Sequence, residues 1–295
     1  MTSLDFGPLV LGGNPFGWTA GRDASFAVLD AFVAAGGRSI DTAESYSTGE
    51  SETIIGEWMT SRGNRDQIVV ATKVWGKQPP EGLSPQHVRA AIDASLSRLQ
   101  TDHVDLYYAH RDDPDVPQEE VVSMFDEFVR AGKIREFGVS NWSADRIRSA
   151  QAIAADGGLT PITVAQDHYN LVERSLETTL VPTLLDLGIV ELPYFALASG
   201  FLTGKYRPGL AVDSARAGTG AKLLEVPRNV ELLGVLDDIA AVHGVSAGAV
   251  ALAWLRAQPA VAAPIASARA ADQVPALVES FGLELSSAEL ARLSA

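Results

Sequence analysis

Eight short apolar runs recur along the chain, and nearly every one is followed by a stretch with helical periodicity. Residues 9–12 form the first run, and a helical pattern over 23–35 follows until Gly36-Gly37 stops it. Residues 38–41 precede a helix over 51–60. Residues 68–73 precede one opened by Ser84-Pro85, in which Val88, Ala91, Ile92, Leu96 and Leu99 share a face. Runs 104–110 and 134–140 lead into a helix over 117–130 and one capped by Ser143. Run 163–166 leads into a helix over 174–187, and 189–194 is the seventh run. A Gly/Ser/Ala-rich segment, 196–222, then interrupts the pattern before helices over 227–242 and 246–257. The eighth run is 261–266. A helix from Ala270 and one opened by a Ser286/Glu289 capping box finish the chain.

Strand–helix alternation from end to end leaves two architectures, a closed (β/α)8 barrel or an open doubly wound sheet. The open sheet needs a Gly-rich phosphate loop after an early strand. Gly12-Gly13-Asn14-Pro15-Phe16-Gly17 does not have that spacing, and no Walker pattern occurs. The expectation is an α/β fold: a single (β/α)8 TIM barrel over residues 1–295, with an extra helix after strand 7 and a C-terminal helix.

A net charge of −14 repels nucleic acid and acidic membrane surfaces, so neither is expected as a partner. With no cysteine, thiolate catalysis, disulfides and Cys-ligated metals are excluded. The N-terminus lacks signal-peptide character and no apolar run reaches a spanning length, so a cytoplasmic protein is expected.

In a barrel the strand ends meet at one face, where an active site is built. The polar residues ending these runs are Asp41, Lys73, His110, Asn141, Gln166 and Tyr194. A barrel without chemistry would place small or apolar residues in most of these positions. Lys73 follows four apolar residues and a threonine, so its ammonium needs an anion, and Asp41 is the natural partner. Taken alone, Asp41 reads as a helix N-cap and Tyr46 as a half-buried tyrosine. Beside a Lys73–Asp41 pair, Tyr46 becomes a phenol whose pKa the ammonium draws down toward working pH. Such a phenol is a general acid for a carbonyl oxygen that turns into an alkoxide, and His110 would orient that oxygen by a hydrogen bond. Of the five histidines only His110 ends a strand, which disfavours a metal-dependent hydrolase, and no metal is expected.

These residues carry a resemblance. Asp-Thr-Ala-x-x-Tyr at 41–46, Thr-Lys at Lys73 and Leu-Tyr-Tyr-Ala-His at His110 resemble the catalytic motifs of the aldo-keto reductase superfamily. The likeness continues through Gly-Val-Ser-Asn at 138–141, Gln-x-x-Tyr-Asn-Leu at 166–171 and Gly-Phe-Leu-Thr-Gly-Lys-Tyr at 200–206, in the family's order. It implies a barrel that binds NADPH, or NADH, without a Rossmann fingerprint, and reduces aldehydes or ketones by hydride transfer. It makes Tyr46 the proton donor, Lys73 and Asp41 the pair that tunes it, and His110 the orienting group. Ser140, Asn141 and Gln166 would hold the nicotinamide carboxamide and Tyr194 would stack on the ring. The loop carrying Leu197, Gly200, Leu202 and Lys205 would wrap the pyrophosphate. Arg269 and Gln273 match one branch of the family, and Arg269 suits a 2′-phosphate or adenine.

The chain departs from the family at Ala266-Ser267, at Leu277 and at Phe195-Ala196. Phe16, Trp18, Trp75, Trp142 and Phe195 lie in loops expected to line a substrate pocket. With no obvious cation among them, the expected partner is an uncharged, partly apolar small-molecule carbonyl compound. Segment 209–221 reads as a flap over the cofactor. Two other readings stay open: a barrel aldolase with Lys73 as Schiff-base nucleophile, and a non-catalytic NADPH-holding regulatory module.

Overall fold

The computed structural model describes residues 2–75, 82–210, 212 and 217–295. In chain order the first half runs β1 (Val10–Gly12), α1 (Arg22–Ala34), β2 (Ser39–Asp41), α2 (Glu50–Arg62), β3 (Val69–Val74), α3 (Pro85–Leu99), β4 (Val104–Ala109) and α4 (Gln118–Arg130). Then come β5 (Ile134–Ser140), α5 (Ala144–Gly157), β6 (Ile162–Gln166), α6 (Leu176–Thr179), α7 (Val181–Leu187) and β7 (Val190–Glu191). The last part is α8 (Ala217–Leu224), α9 (Pro227–His243), α10 (Ala247–Arg256), β8 (Ile265–Ala266), α11 (Val274–Val278) and α12 (Ser287–Ser294).

All strand pairs are parallel, in the order β7-β6-β5-β4-β3-β2-β1-β8. The ends of that order meet. Glu191 N–H donates to the Ala260 carbonyl at 2.8 Å, and Ala262 N–H donates to the Glu191 carbonyl at 2.9 Å. Ile265 N–H reaches the Pro193 carbonyl at 2.8 Å, so the sheet closes into the expected (β/α)8 barrel.

The two closing strands are shorter than the sequence suggests, at two residues each. Pro193 and Pro264 explain this, because proline brings no N–H to a ladder. The helix expected over 174–187 is instead two, α6 and α7, parted at Leu180. Pro182 is the cause: it enters the first turn of α7 and biases Val181 before it against continuing the helix. Within the aperiodic stretch after β7 lies a 3-10 turn, Ala198–Thr203, followed by the extra helix α8. Residues 211 and 213–216 of the expected flap lie outside the described residues. The capping box forms as expected: Glu289 N–H donates to Ser286 Oγ, and Ser286 N–H donates to the Glu289 carboxylate at 2.8 Å.

Side chains alternate across each strand, and the alternation divides the core in two. Val10, Ala71, Leu106, Tyr108, Val164, Leu192 and Ile265 fill the barrel interior with Phe6. Leu11, Ile40, Val70, Val74, Tyr107, Val139 and Ala165 point outward against the helices. The same parity sends Asp41, Lys73, Ser140 and Gln166 inward. It sends Asp167 and Glu191 outward, between the barrel wall and the helical layer. Among the described residues no single helix is long and apolar enough to cross a membrane.

Candidate active site

At the C-terminal mouth of the barrel Lys73 is fully buried, and its ammonium donates to Asp41 Oδ2 at 2.6 Å and to the Thr42 carbonyl at 2.8 Å. Its third partner is the Tyr46 hydroxyl, at 3.5 Å. Asp41 is therefore half of a buried ion pair rather than a helix cap. Tyr46 opens a tight turn, Tyr46–Gly49, in which Ser47 and Thr48 are left-handed. That turn folds the phenol back over Lys73, whose Nζ lies 5.1 Å from the ring centroid. The His110 ring meets the Tyr46 ring edge-on at 6.2 Å.

Burial opposes the Lys73 charge, but Asp41 and Tyr46 outweigh it and raise the lysine pKa above its ordinary value. Burial also raises the Tyr46 pKa; Lys73 offsets this in part and Asp41 adds to it. The net shift is upward, where the sequence led us to expect a downward one, because removing the phenol from water outweighs one ammonium at 3.5 Å. Burial, with Lys73 and Arg111 nearby, pushes His110 down to about 3. At neutral pH the cluster thus holds a protonated phenol and a neutral imidazole.

A second hydrogen-bonded chain crosses the mouth. Gln166 Nε2 donates to Asp41 Oδ1 at 2.9 Å, tying β6 to the ion pair. Ser140 Oγ donates to the Gln166 carbonyl at 2.7 Å, and Asn141 Nδ2 donates to Ser140 Oγ at 2.9 Å and to the His110 carbonyl at 3.2 Å. Tyr194 then donates its hydroxyl to Asn141 Oδ1 at 2.8 Å. Asn141 is left-handed, at φ 59°, a conformation that a non-glycine residue keeps only when its surroundings hold it. The six strand-end residues foreseen as a group, Asp41, Lys73, His110, Asn141, Gln166 and Tyr194, are therefore in one place with Ser140.

The loop after β7 carries three successive left-handed residues, Ala198, Ser199 and Gly200, which turn its backbone into a concavity. A side chain at Gly200 would come within 3.0 Å of Lys205 Nζ. Leu197 packs against the core and Leu202 is buried in it, so Leu202 has only its backbone to offer a ligand. Arg269 is exposed, and its N–H donates to Gln273 Oε1 at 3.0 Å, so Gln273 braces the Arg269 turn.

The expected aromatic lining divides. Trp18 is 62% exposed and Phe195 42%, and Trp75 is half-buried, with its N–H held by Glu44 Oε1 at 2.8 Å. Phe16 at 0% and Trp142 at 3% are core residues and are corrected out of the pocket. Phe16 is pulled inward by the β1 turn, with its N–H on the Gly13 carbonyl, and Trp142 packs below the mouth with Arg146 over its ring.

Three further acidic residues, not foreseen from the sequence, lie around the mouth: Glu44, Asp167 and Glu191. Asp167 follows a strand-end residue directly, and Glu191 is a charge inside an apolar run; both were signals. Asp167 Oδ1 accepts from Asn141 N–H at 2.9 Å, and Asp167 N–H donates to Glu191 Oε1 at 2.7 Å. His168, which ends no apolar run, stacks on Tyr194 at 5.6 Å.

The family model for the Aldo/keto reductase family matches residues 8–295. Norsolorinic acid reductase B of Aspergillus parasiticus is 34% identical over 98% of this chain and 80% of its own length. Protein tas of Escherichia coli is 32% identical over 100% of this chain and 95% of its own. Aldo-keto reductase YhdN of Bacillus subtilis is 34% identical over 96% and 86%. The barrel, the motifs around its mouth and these full-length similarities have one meaning: the chain belongs to the aldo/keto reductase family, and is an oxidoreductase.

Proposed function

We propose that the chain reduces aldehydes or ketones to alcohols with NADPH, or with NADH in its place. The buried Lys73–Asp41 pair set against the Tyr46 hydroxyl carries this reading. The residues present suit a nicotinamide dinucleotide. Asn141 and Gln166 are amides able to read an amide, and Tyr194 is a flat ring beside them. The concave backbone at 198–200, with the exposed cations Lys205 and Arg269, suits phosphates.

When bound, the reduced nicotinamide supplies the hydride. Tyr46 is protonated through neutral pH and gives its proton to the carbonyl oxygen as that oxygen gains charge. Lys73, kept charged by Asp41, stabilises the phenolate left behind. Neutral His110 donates a hydrogen bond to the same oxygen and fixes its direction. Gln166, bonded to Asp41, ties the cofactor platform to the proton donor. An aldolase role for Lys73 is disfavoured, since a Schiff-base lysine needs a neutral amine and this one is held charged. Trp18 and Phe195 form the apolar rim for an uncharged carbonyl substrate.

Tyr46→Phe removes the hydroxyl, and with it both the transferable proton and the third partner of Lys73. We expect NADPH affinity, read by tryptophan fluorescence, to stay within about two-fold, while kcat for 4-nitrobenzaldehyde falls by roughly 10²–10⁴. A variant turning over at the parental rate would show that Tyr46 is not the acid.

A further inference from the structure

Asp167 and Glu191 form a buried pair of carboxyl groups outside the barrel wall, at the ends of neighbouring strands. Glu191 Oε1 accepts from Asp167 N–H at 2.7 Å, while Asp167 Oδ2 and Glu191 Oε2 are both sealed from water with no hydrogen-bond partner among the described residues. Two acids with a free oxygen each, in one water-free site, are stable with a single proton between them, and not as two carboxylates. Among the described residues no cation relieves them: burial and the Asn141 N–H act on Asp167, and burial, the Asp167 carboxyl group and the Asp167 N–H act on Glu191. The ionisable groups that feel their charge are phenols, Tyr108 from β4, Tyr169 beyond β6 and Tyr194 beyond β7. On α7, which packs on β7, Val181, Thr183 and Leu184 are the buried residues, and its Asp186 is turned outward to Arg148.

The pair lies directly behind the platform at the barrel mouth. Asp167 Oδ1 holds the N–H of left-handed Asn141, and the Asp167 carbonyl holds the N–H of Tyr194 at 3.0 Å. Asn141 and Tyr194 are in turn bonded to each other. We propose that Asp167 and Glu191 are positioning residues that share one proton and, while they keep it, hold Asn141 and Tyr194 in the geometry that binds the nicotinamide end of the cofactor. Loss of the shared proton sets two negative charges against each other behind the platform and releases it. This rests on the cofactor reading above.

Burial raises both groups, Asp167 to about 7, which puts the change within reach of ordinary buffers. Glu191→Gln tests the idea, since an amide keeps the acceptor for Asp167 N–H and places a permanent donor where the shared proton was. Two measurements are made on the full-length protein from about pH 6 to about pH 9, where ordinary carboxyl groups are ionised. The first is the infrared C=O band of a protonated carboxylic acid in the protein alone; the second is NADPH affinity by tryptophan fluorescence. The parent is expected to show the acid band, to lose it as pH rises, and to lose NADPH affinity in step, from near equality with Glu191→Gln at about pH 6 to about five- to ten-fold weaker than it at about pH 9. The variant is expected to lack the band and to keep its affinity. An absent band in the parent, or parallel affinity profiles with normal NADPH binding, would overturn the shared proton and leave the cofactor reading standing. A parental band that titrates with no NADPH binding to either protein would overturn the cofactor reading and the platform role together.

Discussion

Lys73 carries its charge where no water reaches it, and each of its three protons has a protein acceptor: Asp41, the Thr42 carbonyl and Tyr46. His110, one strand further on, is in the opposite condition, neutral and held down to about 3. This has a consequence for stability, because an unfolded histidine titrates near 6.5. Between about 6.5 and 3 the unfolded chain binds a proton at this position that the folded chain refuses, so acid costs the parent stability. His110→Gln should therefore lose less melting temperature than the parent between pH 7 and pH 4, as calorimetry would read. Equal losses would mean that His110 is protonated in the folded protein. The strand-end cluster was legible because a lysine after an apolar run has few physical options. The fates of Phe16 and Trp142 were not, because the sequence shows that an aromatic is in a loop but not whether the turn throws it into the core or out to the rim. The upward shift of Tyr46 was missed for a related reason: its burial depends on a left-handed turn at Ser47 and Thr48 that no residue type there demands.

At the scale of elements, the helices take their places by close backbone approach. Gly56 in α2 lies against the end of α3, where an added Cβ would come within 2.3 Å of the Arg98 carbonyl oxygen. The obstacle is backbone and cannot rotate away. Gly56→Ala should cost about 1–3 kcal/mol despite alanine's better helix propensity, measured by urea unfolding. A gain in stability would show that α2 and α3 separate easily. The elements themselves were readable from period and punctuation, as at the α12 capping box. What escaped was the work of proline within otherwise regular patterns. Pro182 divides α6 from α7, and Pro193 and Pro264 shorten the closing strands, since one missing N–H stops a ladder that hydrophobicity alone would continue.

For the whole molecule, the acid pair lies where the barrel closes, because the Glu191 backbone bonds to Ala260 and Ala262 while its side chain bonds to Asp167. Both carboxyls are raised in the folded protein, so between their unfolded values near 4 and their folded ones the folded state holds the extra proton. Stability linked to that proton is complete below the unfolded pKa and is lost as pH rises through the folded one. Glu191→Gln should accordingly gain melting temperature over the parent at pH 8 and show a smaller difference at pH 5. A difference independent of pH would mean that the pair carries no shared proton. The closed barrel was readable from the alternation of runs, whereas this pairing across β6 and β7 joins positions 24 residues apart and depends on strand register.

The strict in-and-out alternation of the strands also limits how such a gene can change. Gln166 turns into the barrel to meet Asp41 and Asp167 turns out to meet Glu191, one position apart. A single codon inserted within β6 would move each of them one position on, turning Gln166 out toward Glu191 and setting Ala165 opposite Asp41, which would leave the ion pair without its amide donor. Length variation among descendants of this sequence is therefore confined to the loops, while the strands can diverge only by substitution.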